Sequence, residues 1–164
     1  EWNRILALLE RHDATLVIRS HRLGEGEYAP PERTDRVALM GAGVLADINL
    51  ALPAFDAIVT DYSSLVYDSA LVPLPAFFLA PDIDDYARRR GFYGEYADIT
   101  GGDAARSWAE LLPEIDEALG DVGALERRTE RARELSRRVH DFRDGHNTDR
   151  VLDEVLARIG KAHR

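Results

Sequence analysis

The sequence contains no cysteine, and this absence removes several classes of chemistry at once. Disulfides, thiolate nucleophiles and thiolate metal sites are all excluded. No apolar run approaches the roughly 20 residues that a membrane-spanning helix needs, and the opening residues, Glu1-Trp2-Asn3, do not resemble a signal peptide. Lysine is nearly absent, since Lys161 is its only representative. The chemistry of the chain must therefore rest on carboxylates, hydroxyls, histidines and arginines.

Basic residues are too few to cover the surface, because 30 acidic residues against 21 basic ones give a formal net charge of −9. Proteins that bind nucleic acid usually carry a basic face or stripe, so the charge argues against a nucleic-acid partner. A local basic pocket remains compatible with it. The length of 164 residues suits one ordinary domain, and we expect a single domain over residues 1–164.

Four short apolar runs alternate with helical patterns along the first half of the chain. The runs predict strands at 15–18, 36–40, 57–60 and 76–79, and unbroken apolar runs are typical of parallel strands covered on both faces. Apolar residues at helical spacing predict helices at 2–11, 45–52, 63–71, 82–90, 104–119, 125–139 and 148–159. This order predicts an α/β fold, a Rossmann-like three-layer parallel sheet with a helical carboxyl-terminal tail.

Polar residues follow three of the predicted strands. In open parallel sheets ligands bind outside the carboxyl ends of the strands, so we expect 19–22, 60–64 and 81–86 to converge on one cleft. Ser63 and Ser64 would bring hydroxyls and free backbone N–H groups to the start of a helix, which suits a phosphate. The alternative is that Ser63 merely caps its helix. The arginines near this cleft favour anion binding.

Histidine and arginine residues supply the other candidates. His21, between Arg19 and Arg22, can be interpreted as a general base, a diphosphate ligand or a solvated loop residue. The run 88–90 can be a solvated helix end, or one of its guanidinium groups can hold phosphate oxygens. The loop at 23–34, rich in glycine and proline, is long for a compact domain, and such loops often have a function.

Two acidic clusters invite a metal interpretation that we do not favour. Asp82, Asp84 and Asp85 open a predicted helix, where carboxylates favour the positive end of the helix dipole. His140 and the acidic residues after it lie in a predicted loop, and we interpret them as solvated. We therefore predict no metal site and no cofactor.

Several blocks of the sequence resemble, in order, the signature of one family, the CDP-glycerol:poly(glycerophosphate) glycerophosphotransferases. The run Asp47-Ile48-Asn49 with 56–68, which contains Thr60-Asp61-Tyr62-Ser63-Ser64, is similar to its "DIN" and "TDYSS" motifs. The stretches 82–86 and 90–93 resemble a second block, 19–21 a strand end that normally reads "KPH", and 142–148 a final "DG" loop. Arg19 and Ser20 replace the lysine and proline of that strand end, and Leu23 and Gly24 lead into a loop without a counterpart in the signature.

The resemblance implies one half of a two-domain GT-B enzyme, with this chain as the carboxyl-terminal, nucleotide-donor-binding domain and an amino-terminal acceptor domain missing from the sequence. Such enzymes transfer glycerol phosphate or a related polyol phosphate from a CDP-polyol to a lipid-linked teichoic-acid acceptor. They work in the cytoplasm, peripheral to the inner face of the cell membrane. The CDP-polyol is a substrate, so no cofactor is implied.

The resemblance also implies residue roles. His21 would lie beside the reacting phosphoryl group as the catalytic residue, and Ser63, Ser64 and Arg90 would hold the donor diphosphate. Asp61 and Asp68 would shape the site, and the 144–148 loop would lie on the nucleotide side. The full donor-binding set comprises Arg19, Arg22, Asp61, Tyr62, Ser63, Ser64, Asp68, Arg90, Asp144, Gly145, Asn147 and Thr148.

Other functions stay open on the residues alone. A GT-B glycosyltransferase that uses a UDP- or GDP-sugar would share the diphosphate site at the strand ends, and a non-catalytic nucleotide-binding module would share the cleft. A phosphoacceptor receiver domain would use an aspartate such as Asp61, but it needs a lysine after a later strand, and Lys161 is the only lysine.

Overall fold

The computed structural model describes residues 1–19, 30–92, 94–102 and 104–162. Within them, helices and strands alternate through the first half, and helices alone make up the second. The strands are β1 (Leu16–Ile18), β2 (Val37–Leu39), β3 (Ile58–Thr60) and β4 (Ala76–Phe78). The helices are α1 (Trp2–Arg11), α2 (Leu65–Leu71), α3 (Ile83–Arg89), α4 (Ala97–Thr100), α5 (Trp108–Gly120), α6 (Val122–Val139) and α7 (Asn147–Ala162).

The strands pair in parallel, as predicted. β1 pairs with β2 and β3 with β4, with Val17 opposite Ala38 and Val59 opposite Phe77. A parallel bridge between Leu79 and Ala105 extends the pairing beyond β4. Within the described part of the chain these pairs form two two-stranded sheets, and each of the four strands is three residues long. The α/β class is confirmed, and the single three-layer sheet stays a prediction.

β4 lies at the centre of the core. Its successive side chains point to opposite faces, so they can pack into two different clusters. Phe77 is 1% exposed and packs with Leu111 of α5, whereas Phe78 packs with Val66 of α2 and Leu135 of α6. Helices therefore cover β4 on both faces, as its unbroken apolar run predicts. A third cluster joins α1 to α5.

Helix bounds depart from the prediction where local side chains decide them. The predicted helix at 45–52 is wrong: the segment forms two 3₁₀ turns, Ile48–Leu50 and Leu52–Ala54. Pro53 explains this break, because it lacks the N–H that an α-helix needs at that point. α5 begins later than predicted because Ser107 caps it by accepting a hydrogen bond from the Glu110 N–H, and α4 was not predicted at all.

α7 confirms the helix predicted at 148–159 but contributes nothing to the described core. Its apolar residues are 46–65% exposed; they are Val151, Leu152, Val155, Leu156 and Ile159. Among the described residues, no helix combines the length and the apolar character that crossing a bilayer requires.

Arg128 on α6 ties α5, α6 and β4 together, and its loss should destabilise the fold. Its side chain is 14% exposed, lies 2.7 Å from a Glu114 carboxylate oxygen and covers the Phe77 ring at 4.3 Å. Arg128→Ala leaves that carboxylate half-buried without its cation, so we expect a loss of about 2–3 kcal/mol in the free energy of unfolding. Urea denaturation measures it.

Arg127→Ala is the matched control. Arg127 lies 3.5 Å from Glu117 with both side chains about two-thirds exposed, so its removal should change stability by less than about 0.5 kcal/mol. Equal losses for the two variants would contradict the structural role of Arg128.

Candidate functional site

A tight turn at the carboxyl end of β3 carries the tandem serines. The Asp61 side chain accepts a hydrogen bond from the Ser63 N–H at 3.0 Å, and the Ser63 hydroxyl oxygen accepts one from the Leu65 N–H at 3.3 Å. Ser64 occupies the N-cap position of α2, but its side chain makes no capping bond. Both serines are exposed. Ser63 therefore supports the turn, whereas the Ser64 hydroxyl has no partner within the described part of the chain and can bind a ligand.

Tyr62 joins the ends of β3 and β4. Its ring stacks on Tyr86 of α3 with centroids 4.0 Å apart, and its hydroxyl donates to Asp82 at 3.0 Å. Partial burial is the larger cause, and this hydrogen bond the second, of a pKa of Tyr62 above its ordinary value, so the phenol is neutral at pH 7. The strand ends 60–64 and 81–86 thus lie in contact, and the convergence of all three strand ends on one cleft stays a prediction. Tyr62 itself serves in packing.

An aromatic cluster surrounds Tyr62 and includes a residue that the sequence did not single out. Phe92 stacks on Tyr96 at 5.1 Å, and both rings lie within 6 Å of Tyr62. The Tyr96 hydroxyl donates to the backbone carbonyl of Asp61 at 2.9 Å. The nearest sequence signal is the 90–93 block, which ends three residues before Tyr96. Tyr96 thus connects Phe92 to the serine turn.

The three arginines at the end of α3 differ in their partners. Arg88 and Arg89 both contact the Asp85 carboxylate, Arg89 at 3.3 Å. The exposed guanidinium of Arg90 has no hydrogen-bond or ion-pair partner within the described ranges. Arg90 is therefore the member of the run that a ligand can use at no cost to an existing ion pair.

The acidic residues before these arginines are also engaged. α3 begins at Ile83, so Asp84 and Asp85 lie in its first turn, as the helix-opening interpretation predicts. Arg106 binds Asp84 at 2.6 Å and holds the pKa of that carboxyl below its usual value. With Asp82 bound to Tyr62, each of the three carboxylates has a protein partner.

The 144–148 loop is organised by Arg150, a residue that the sequence analysis missed. Its guanidinium grips both Asp144 oxygens, one of them at 2.9 Å, donates to the Asn147 side chain at 3.1 Å and covers the Phe142 ring at 4.1 Å. These hydrogen bonds lower the pKa of Asp144 to about 2. Gly145 has a φ of +78°, a conformation that favours glycine. The Asp144 carboxylate is thus held by Arg150 and shapes the loop.

His140 connects this loop to α2. Its Nε2 lies 2.9 Å from the backbone carbonyl of Tyr67, one residue before the exposed Asp68. A neutral or charged imidazole can donate this bond. α2, which follows the tandem serines, and the end of α6, which precedes the 144–148 loop, are therefore neighbours. Thr148, in the first turn of α7, is exposed.

The predicted site residues after β1 are only partly visible. The Arg19 guanidinium donates to three backbone carbonyls, those of Met40, Leu45 and Ala46. Arg19 therefore holds the loop after β2 in place, and its predicted contact with a donor stays a prediction. His21 and Arg22 lie outside the described residues, as does most of the 23–34 loop.

Known proteins resemble this chain in sequence and in fold. A teichoic acid poly(ribitol-phosphate) polymerase of Bacillus spizizenii is 31% identical over 67% of this chain and 17% of its own length. A teichoic acid glycerol-phosphate transferase of Staphylococcus aureus is 37% identical over 62% of this chain and 25% of its own length. The solved structure of the wall teichoic acid polymerase TagF superimposes with a TM-score of 0.70 at 21% identity, covering 98% of this chain and 38% of that one. The latter likeness shows the α/β fold.

The chain thus spans about a quarter or less of the two curated relatives described above. The match to a family model covers more of this chain than either of these two relatives does. The family described as CDP-glycerol:poly(glycerophosphate) glycerophosphotransferase matches residues 3–157. Because that match takes in nearly the whole sequence, this protein belongs to the CDP-glycerol:poly(glycerophosphate) glycerophosphotransferase family.

Proposed function

We propose that this chain is the nucleotide-donor-binding domain of a GT-B enzyme that transfers a polyol phosphate from a CDP-polyol to a teichoic-acid-like acceptor. The observation that carries the proposal is the family match over residues 3–157. The coverage of β4 by helices on both faces supports a Rossmann-like three-layer core. The names of the relatives include both ribitol and glycerol phosphate, so either polyol fits the proposal.

The proposed donor site centres on the turn after β3. The Ser64 hydroxyl and the Arg90 guanidinium, neither of which has a side-chain partner among the described residues, bind the diphosphate, and Asp61 and Tyr62 hold the backbone that presents them. The 144–148 loop lies on the nucleotide side. His140, shortly before this loop, binds the Tyr67 carbonyl and so holds the start of the loop near α2. Arg19 supports the site from the end of β1. Asp68 completes the shape of the site, and Arg22 adds positive charge.

The proposed chemistry is phosphoryl transfer. A hydroxyl oxygen of the acceptor forms a bond to the phosphorus that carries the polyol, the bond from that phosphorus to the CMP oxygen breaks, and CMP leaves. His21 takes the hydroxyl proton, a contribution of about 10²–10⁴-fold to the rate. Positioning and charge stabilisation by Ser64 and Arg90 supply the rest, without a metal or a cofactor.

The acceptor is proposed to be a lipid-linked polyol-phosphate chain at the inner face of the cell membrane, held by a part of the enzyme other than this domain. The acidic charge of −9 supports this division, because anionic lipids attract basic surfaces.

Calorimetric titration with CDP-glycerol, CDP-ribitol, CMP, UDP-glucose and GDP-mannose tests the proposal. We expect selective binding of a CDP-polyol, and Ser64→Ala should weaken it at least about tenfold, because a hydrogen bond to a charged group contributes about 1.5–3 kcal/mol. Stability should not change, because the Ser64 side chain caps nothing.

Thr129→Ala removes a hydroxyl whose one bond to a described residue lies within α6, to the Leu125 carbonyl, and should leave donor affinity unchanged. A preference for UDP-glucose or GDP-mannose would move the chain to the nucleotide-sugar glycosyltransferases. Binding of no nucleotide at all would contradict the donor-binding role.

A further inference from the structure

Asp61 is held at two points, and the second of them comes from a distant segment. Its side chain accepts the Ser63 N–H within the turn, while its backbone carbonyl accepts the Tyr96 hydroxyl at 2.9 Å. The latter contact spans 35 residues of sequence. The backbone position from which the serines extend is therefore set by Tyr96 and by the turn together.

The Tyr96 ring cannot easily move its hydroxyl away. It is 8% exposed, stacks on Phe92 with an interplanar angle of 16° and meets Phe78 edge-on at 84°. A tyrosine has few side-chain torsions, so a ring packed on several sides presents its hydroxyl at a well-defined point. Burial, with a further contribution from Asp61, raises the pKa of Tyr96 to about 12, which keeps the hydroxyl protonated as a donor.

The bond also connects two segments that chain order separates. Tyr96 occupies the N-cap position of α4, yet its side chain leaves that helix and reaches Asp61, the residue directly after β3. Tyr62 packs on the same ring at 5.6 Å and donates to Asp82. The ends of β3, α3 and α4 thus form one unit around the Asp61–Ser64 turn.

We propose that Tyr96 is a positioning residue, whose hydroxyl sets the orientation of the Asp61–Ser64 turn for the donor diphosphate. The inference rests on the proposed function, since it assigns the turn to donor binding. Tyr96 does not touch the donor. It acts through the Asp61 carbonyl, because a diphosphate that contacts several groups loses affinity when the backbone presenting one of them shifts.

Tyr96→Phe removes the hydroxyl and keeps the ring, so it tests the hydrogen bond to the Asp61 carbonyl alone. Two measurements on the 164-residue chain separate the possibilities: backbone amide chemical shifts of residues 61–65, and the affinity for CDP-glycerol by calorimetry. We expect the amide signals of Ser63 and Ser64 to move and the affinity to fall about five- to tenfold.

Tyr86→Phe is the matched control. Tyr86 stacks in the same cluster, but its hydroxyl has no hydrogen-bond partner among the described residues, so both measurements should match the parent chain. Unfolding in urea checks that both variants are folded during the titration. A residue that only stabilised the fold would lower the urea midpoint and leave the affinity of the folded protein unchanged.

Each other outcome counts against the proposal. Unmoved amide signals in Tyr96→Phe would show that the hydroxyl does not set the turn. Moved signals with unchanged affinity would show that the turn does not act on the donor, and equal effects in Tyr86→Phe would assign the loss to the cluster as a whole. If the parent chain bound no CDP-polyol, the proposed function and the positioning role of Tyr96 would both fail. Moved amide signals would then show only that the Tyr96 hydroxyl sets the geometry of the turn.

Discussion

Phe77→Ala is expected to lower the free energy of unfolding by about 3–5 kcal/mol, because the change removes a large buried ring and leaves a cavity. Phe77 is 1% exposed and packs with Ala105, Leu111 and Ala118. Its ring also lies under the Arg128 guanidinium at 4.3 Å, so the substitution removes this cation–π contact too. Urea denaturation followed by circular dichroism measures the loss.

Phe142→Ala is the matched control for this substitution. Phe142 also lies under an arginine, Arg150 at 4.1 Å, but it is 52% exposed, so we expect a loss below about 1 kcal/mol. If Phe77→Ala does not fold, Phe77→Leu retains most of the apolar volume and should fold with a smaller loss. Similar losses for Phe77→Ala and Phe142→Ala would contradict the central place of β4 in the core.

The centre of the core could be predicted from sequence because each strand is a short unbroken apolar run. The runs at 57–60 and 76–79 each contain the strand observed there, β3 and β4. Continuous apolar side chains suit a strand covered on both faces, as β4 is, whereas Val59 of β3 is 37% exposed. The segment at 45–52 shows the limit of such patterns. Its apolar spacing favours a helix, but the Pro53 ring and the Asp47 side chain, which accepts the Asn49 N–H, favour 3₁₀ turns.

The candidate site, too, could be predicted from the sequence only in part. The tandem serines and their place after β3 follow from local sequence, because a strand end and a helix start are both short-range features. The contacts that organise them do not. Tyr96 reaches Asp61 across 35 residues, and His140 reaches Tyr67 across 73, and no local pattern marks either bond. Arg150 escaped notice because arginines in a first helical turn have no distinctive spacing.

Arg90→Ala is expected to reduce the affinity for CDP-glycerol at least about 100-fold. A guanidinium can bind two phosphate oxygens at once, and each hydrogen bond to a charged group contributes about 1.5–3 kcal/mol. Arg90 is exposed at the C-cap of α3 with no side-chain partner inside the described ranges, so its removal breaks no ion pair and should leave stability nearly unchanged. Calorimetric titration of the folded variant measures the affinity.

Arg89→Ala supplies the control that separates a local contact from a general loss of positive charge. Arg89 lies at the same helix end and contacts Asp85 at 3.3 Å. Both variants therefore change the net charge equally, while only Arg90→Ala removes a guanidinium that has no partner among the described residues. We expect Arg89→Ala to change the affinity less than about threefold, since exposed charges act weakly through solvent. Arg90→Lys, which keeps the charge but not the fork, should fall between them. Equal losses for Arg89→Ala and Arg90→Ala would show that charge at this helix end attracts the donor without a specific contact from Arg90.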